Sequence, residues 1–259
     1  MLNAASFVAV LASLACLRTA ELHPSRKAPR TRGSLADGFR YIWRRSDLKT
    51  ILVILFLVGT FGLNFPIFIS TMSVGVFHTG ASKFGLLMSM MAIGSISGAL
   101  LAARREQPRI TLLFAAGATF GVGCTLAALM PNSILFGLAL AIIGVSAQTL
   151  TTSANSLVQL STDPLMRGRV IAILFAITMG GTPIGAPIVG WVADRFGPRW
   201  GLGVGAASGF AAAAVGIYYL VTYRHLRIGF AGGRVRVSLD AAAPKPAVPP
   251  QPDLPVIEP

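Results

Sequence analysis

Long apolar stretches alternate with short charged ones along this chain, and each apolar stretch has the length of a bilayer crossing. No Asp, Glu, Lys or Arg occurs in residues 50–82, 84–103, 110–162, 170–193 or 200–223. A helix crossing roughly 30 Å of hydrocarbon needs about 20 residues at 1.5 Å each, so these gaps have room for six spans. The spans are expected at residues 51–74, 84–103, 110–130, 133–157, 170–193 and 201–223. A seventh, shorter apolar run covers residues 1–17 and ends at Arg18. It lacks the basic residue that opens a signal peptide, and it reads as a partial transmembrane helix, the end of a longer span whose upstream part is missing.

The pattern therefore predicts an all-α membrane protein: a six-helix bundle over residues 50–223, preceded by the partial helix and by a connector at residues 18–49. The spans divide into two triplets, residues 51–130 and 133–221. Two successive triplets with an odd number of crossings enter the membrane from opposite sides, which is the layout of an inverted repeat. The likeness between them is one of hydropathy and spacing. In the connector, Ser34 and Asp37 stand at capping-box spacing, and Leu35, Phe39, Ile42 and Trp43 then share one helical face beside Arg40, Arg44 and Arg45. That helix either lies at the inner membrane surface or packs on the ends of the bundle. Beyond Tyr223 the chain turns basic and then rich in Pro and Ala, and residues 224–259 are expected to be a disordered cytoplasmic tail.

Composition agrees with the pattern, since only 12% of the residues are charged and 54% are hydrophobic, with a mean hydropathy of +0.69. A net charge of +13 raises nucleic acid as a partner, but binding it needs a basic face on a folded soluble domain. The charge instead gathers at alternate connectors: 19 of the 22 Lys and Arg residues follow the first, third, fifth and seventh apolar runs, and only Lys83, Arg195 and Arg199 fall between the others. Basic residues resist translocation, so the C-terminus is expected in the cytoplasm and the N-terminus outside, in the plasma (inner) membrane of the cell.

Polar groups inside a bilayer are costly unless they face a cavity or a neighbouring helix, and three places qualify as candidate substrate-cavity residues. Asn64 and Pro66 sit mid-span, where proline removes a backbone hydrogen bond and kinks the helix; Asn64 either repairs the backbone locally or lines a cavity. Gln148, Thr152, Asn155 and Gln159 follow i, i+4, i+7, i+11 spacing and make one uncharged polar stripe, which either lines a wet cavity or binds a neighbouring helix. Met179, Thr182 and Pro183, with Gly180, Gly181, Gly185 and Pro187, are expected to interrupt the fifth full span at its midpoint. Gly117, Gly121, Gly205 and Gly209, at four-residue spacing in the third span of each triplet, read as close helix packing.

No ionisable residue lies inside a span, so nothing here carries a proton across the membrane. Cys16 and Cys124 fall in apolar runs as small hydrophobes, the three histidines stand apart, and no metal site or cofactor is expected. The absence of a nucleophile and base pairing, or of a phosphate loop, argues against an enzyme.

The stretches GFRYIWRRSDLKTIL, NFPIFIS, FGLLMSMMAIGSISGALLA, STDPLMRGRV and TPIGAPIVGWVADRFGPRW, in this order, resemble the C-terminal half of a major facilitator superfamily transporter of the enterobactin and macrolide exporter type. The resemblance covers residues 1–223 and implies a cavity shared by two six-helix halves, hence efflux of amphipathic small molecules and a partner, either a missing N-terminal half or a second copy. The family's loop signature is present as Gly190, Asp194, Arg195, Gly197 and Arg199. By the expected topology it lies on the outer side, so its usual gating role is not carried over. After Gly98, where the signature would sit in this half, Ala102 replaces the Asp and Arg104 and Arg105 remain. The alternative is a non-transporting structural or truncated fragment that needs a partner half; a seven-helix receptor or channel fits the span count and leaves the inverted triplets unexplained.

Overall fold

A computed structural model describes residues 8, 11, 13, 16, 35–105, 109–223, 227–231 and 234–238. The partial helix expected at residues 1–17 lies almost wholly outside the described residues, as do residues 18–34 and 239–259. The described elements are α1 (Leu35–Trp43), α2 (Ser46–Leu57), one π-helical turn (Val58–Gly62), α3 (Phe65–Gly75), α4 (Ala81–Ala103), α5 (Ile110–Leu129), α6 (Ser133–Ser161), α7 (Arg167–Phe196) and α8 (Pro198–Tyr223), followed by strands β1 (Arg227–Ala231) and β2 (Arg234–Ser238). Among the described residues, six spans are long and apolar enough to cross a membrane: Ser46–Gly75, which joins α2, the π turn and α3, and then the spans of α4 to α8. Helix is the form such a segment takes in lipid, because every backbone N–H and C=O is then satisfied within the segment.

The helix pairings follow a pseudo-two-fold rule. The first span of each triplet packs on the second span of the other, α6 on α4 and α2–π–α3 on α7, and also on the third span of the other, α6 on α5 and α2–π–α3 on α8. The two third spans, α5 and α8, pack on each other. Glycines set these approaches. A Cβ on Gly94 or Gly144 would overlap backbone of the facing helix at Ala141 or Met91, and one on Gly181 or Gly185 would overlap Thr60. Between α5 and α8, a Cβ on Gly209 would come within 2.5 Å of the Gly121 nitrogen. Small residues of this kind let backbones meet where lipid offers no hydrophobic drive for association. The inverted repeat is thus a matter of packing as well as hydropathy, and it leaves a residue-level trace: Gly94 and Gly98 in α4 stand 87 residues before Gly181 and Gly185 in α7.

Side-chain contacts sort the connectors by end. Arg45, held above its ordinary pKa by its hydrogen bonds to Asp47 (2.6 and 3.1 Å) against the opposing effect of burial, also donates to the Ser161 carbonyl oxygen at 2.9 Å. The backbone N–H of Asp163 donates to the Tyr41 hydroxyl at 3.2 Å. The α1–α2 junction and the α6–α7 loop therefore share one end of the bundle. At the opposite end, a Cβ on Gly75 would lie 2.8 Å from the Pro198 ring.

Three local features differ from the sequence reading. The fifth full span is not interrupted: α7 runs unbroken through Pro183 and Pro187. Both prolines lie on the exposed side, opposite the Gly181 and Gly185 seam, so each removes one backbone hydrogen bond while packing and the remaining ladder keep the helix whole. In the first full span, where Pro66 is expected to kink the helix, the break takes the form of a π turn ahead of the proline, with Leu63 N–H donating to the Val58 carbonyl at 2.9 Å. Finally, where no ordered structure is expected after Tyr223, β1 pairs antiparallel with β2; the alternating Arg-Val-Arg-Val pattern and the intervening Gly232-Gly233 dipeptide carry a hairpin signal that the basic composition hides.

The amphipathic helix forms at Leu35–Trp43 and docks by one edge. A Cβ on Gly38 would lie 2.8 Å from Ile173 Cδ1 of α7, and Ile42 is buried, whereas Leu35, Phe39 and Trp43 are 62%, 48% and 70% exposed. The helix therefore packs on the bundle end, as the second of the two readings has it, and keeps an open apolar edge.

Candidate functional site

Along α6, Leu135, Leu138 and Ile142 are exposed toward the N-terminal end, while Gln148, Thr152 and Asn155, turned by roughly 100° about the helix axis from Ile142, are half-buried and Gln159 is exposed. Gln148 Nε2 donates to Thr152 Oγ1 at 3.1 Å, and Asn155 Nδ2 donates to the Thr151 carbonyl at 3.0 Å. A Cβ on Gly98 would lie 3.2 Å from that of Gln148, so α4 reaches close to the stripe precisely because it presents no side chain there. Beside Thr152 a notch of about 50 Å³ is lined by Ala102, Arg105, Leu112, Ser153 and Ser156, enough for a water molecule. The remnant of the loop signature in this half thus meets the polar stripe at the basic end of α6.

Asn64 is buried at the π turn, and its Nδ2 donates to the Thr60 carbonyl oxygen at 2.7 Å. Local backbone repair is therefore its observed role, although Asn64 Oδ1 and Thr60 Oγ1 are both buried without a hydrogen-bond partner. Pro66 is exposed one turn on. The turn is wedged between neighbours: a Cβ on Gly62 would lie 2.9 Å from both Phe120 of α5 and Ser208 Oγ of α8. Met179, Thr182 and Pro183 are exposed on α7, and no hydrogen bond among the described residues joins them to the α6 stripe. The structure brings Asn64 and Thr60 together with Gly181 and Gly185, and Gln148 and Thr152 together with Gly98, Ala102 and Arg105. Thr60 and the Gly94, Gly98, Gly181 and Gly185 pairs were missed by the sequence reading; their signal was the four-residue glycine spacing repeated at the same register in the second span of each triplet.

In the loop signature, Gly190 lies inside α7, Asp194 and Arg195 are exposed in its last turn, and Arg199 is exposed at the start of α8. No ion pair joins them among the described residues. Gly197 ends α7 at φ +104° and ψ 158°, its N–H donating to the Ala193 carbonyl at 3.0 Å. This region of backbone space is essentially reserved for glycine. Gly197→Ala is expected to destabilise the protein by about 1–3 kcal/mol, read as a lower thermal midpoint in detergent, whereas Gly190→Ala, where a Cβ meets nothing within 4 Å, leaves it unchanged.

Two inverted three-helix repeats with an uncharged interior define a membrane transporter of the major facilitator type. The chain belongs to the transmembrane secretion effector family of that superfamily, whose model matches residues 1–226. It is 28% identical over 169 residues to the multidrug efflux pump Tap of Mycolicibacterium fortuitum, covering 63% of this chain and 40% of that protein. Its fold is similar to that of the E. coli fucose:proton symporter, with a TM-score of 0.60 at 18% identity over 82% of this chain and 52% of the symporter. The chain thus spans about half the length or less of these relatives. The family and the six apolar spans among the described residues make the chain a multi-pass membrane protein.

Proposed function

We propose that the chain is one six-span unit of a secondary exporter of amphipathic organic molecules, corresponding to the C-terminal half of its longer relatives and working with a second six-span unit. The observation that carries this reading is the uncharged, hydrogen-bonding stripe of α6, Gln148 to Gln159, left partly open beside exposed apolar residues of the same helix, which suits a cargo with both kinds of surface. Asn64, Pro66, Gln148, Thr152, Asn155, Gln159, Met179, Thr182 and Pro183 are its candidate cavity residues. Partnership is supported by the cover each span receives: 61%, 50% and 56% of the apolar stretch is buried in the first span, α5 and α6, but only 17% in α4 and 22% in α7. Under the charge rule, the basic end with Arg45, Arg105 and Arg167 is cytoplasmic, in the plasma membrane, and the coupling group resides in the partner unit because no Asp, Glu, His, Lys or Arg lies in residues 51–74, 84–103, 110–130, 133–157, 170–193 or 201–223.

The test is to express the chain in an efflux-deficient host, alone and together with the N-terminal six-span half of an efflux relative, and to follow the loss of a preloaded lipophilic dye. Efflux by the pair and none by either unit alone is expected. Pairs that assemble, as judged by co-purification, yet never move dye or macrolide would leave the structural-fragment reading in its place.

A further inference from the structure

Between α1, α2 and α7, at the basic end of the bundle, lies a groove of about 180 Å³. From α1 come Phe39, Ile42 and Trp43; from α2 come Lys49, Val53 and Phe56, one helical face at i, i+4, i+7; Ile177 of α7 is among its walls. Apart from Lys49 every lining side chain is apolar. Phe39, Trp43, Val53 and Phe56 also remain 40–70% exposed, so the groove opens outward to whatever surrounds the bundle.

The nearby charges are unequally matched. Asp47 is taken by Arg45 at 2.6 Å, and Asp37 lies 3.6 Å from Arg40. Lys49, in the groove wall, and Arg44, next to Trp43, have no acidic partner among the described residues. We infer that this groove is a binding site for an anionic glycerophospholipid, part of one acyl chain lying in the slot and the phosphate meeting the Lys49 ammonium at its mouth. The slot fits a chain rather than a protein segment: a helix is about 10 Å across with its side chains, whereas an apolar cavity of about 150 Å³ is filled by a benzene-sized hydrocarbon. Its position suits a lipid too, since α2 begins at Ser46 and the groove spans the first turns of a membrane crossing, the depth at which aromatic and basic side chains meet headgroups. Basic pockets between helices at this level select anionic headgroups, and a lysine stem lying along apolar surface delivers its ammonium there. A cationic cargo would be repelled by the same two side chains, so the groove is distinct in its chemistry from the uncharged stripe of α6.

Native mass spectrometry of the purified full chain, titrated with phosphatidylglycerol or phosphatidylcholine of matched acyl chains, tests the inference. At least fivefold preference for phosphatidylglycerol is expected. Lys49→Gln should bring the ratio near one while both lipids still bind, and Val53→Trp, which fills the slot from an exposed position, should remove binding of both without lowering the thermal midpoint. A benzophenone side chain in place of Phe56 should yield lipid adducts in membranes. Equal retention of the two lipids by the unmodified chain, or adducts only to another protein chain, would overturn it.

Discussion

Gly185→Ala is expected to prevent correct assembly of the bundle or to lower its thermal midpoint by about 10 °C or more. The added methyl would overlap the carbonyl oxygen of Thr60, an atom of the π turn that is itself hemmed in by Phe120 and Ser208. Overpacking costs typically about 1–3 kcal/mol, and more where backbone must move; for a chain of this size each kcal/mol is worth about 2–4 °C. The pseudo-two-fold packing makes a second, independent forecast: Gly94→Ala in α4, whose methyl would overlap the Ala141 carbonyl, should do similar damage. Gly180→Ala, five residues from Gly185 in the same helix, meets nothing within 4 Å and should cost nothing. Thermal unfolding in detergent, monitored by size-exclusion chromatography of a fluorescent fusion, separates these variants. Equal midpoints for Gly180→Ala and Gly185→Ala would show that α7 does not pack on the π turn as described.

Gln148→Leu combined with Asn155→Leu should lower dye export by the paired units on the order of tenfold, equivalent to about 1.4 kcal/mol, while leaving the fold intact. Both side chains are half-buried and bond only within α6, Gln148 to Thr152 and Asn155 to the Thr151 carbonyl. Interhelical hydrogen bonds in membranes average about 0.6 kcal/mol, and local bonds of this kind tie no second helix down, so the midpoint should shift by no more than a few degrees. Initial efflux rates and thermal midpoints measured on the same preparations distinguish a cargo-facing stripe from structural glue. Unchanged export with a markedly lowered midpoint would assign the stripe to packing and remove it from the proposed cavity.

Proline shows how far the sequence could be read. Pro66 and the Pro183–Pro187 pair look alike as interruptions, each deleting a backbone donor at mid-membrane. Around Pro66 the chain inserts a π turn, which Asn64 repairs by reaching the Thr60 carbonyl and which Gly62 permits by leaving room for Phe120 and Ser208. Around Pro183 and Pro187 the helix persists, because the lost bonds face outward and the glycine side of α7 is clamped. Nothing in either local sequence states which neighbours will be present. The stripe on α6 was legible because helical spacing fixes a face, but the notch beside Thr152 depends on Ala102 and Arg105 from another helix.

The sequence by itself determined the spans, their number, and the two ends between which the basic residues are divided, because a bilayer punishes each misplaced charge or unpaired backbone group locally, within one segment. Only the tertiary structure decided where a span breaks, which glycines are contacts, and that α1 overhangs α2 to leave a groove. Those outcomes turn on atoms brought together from different helices, some more than a hundred residues apart, such as Thr60 with Gly181 and Gly185, and no rule confined to one helix contains them.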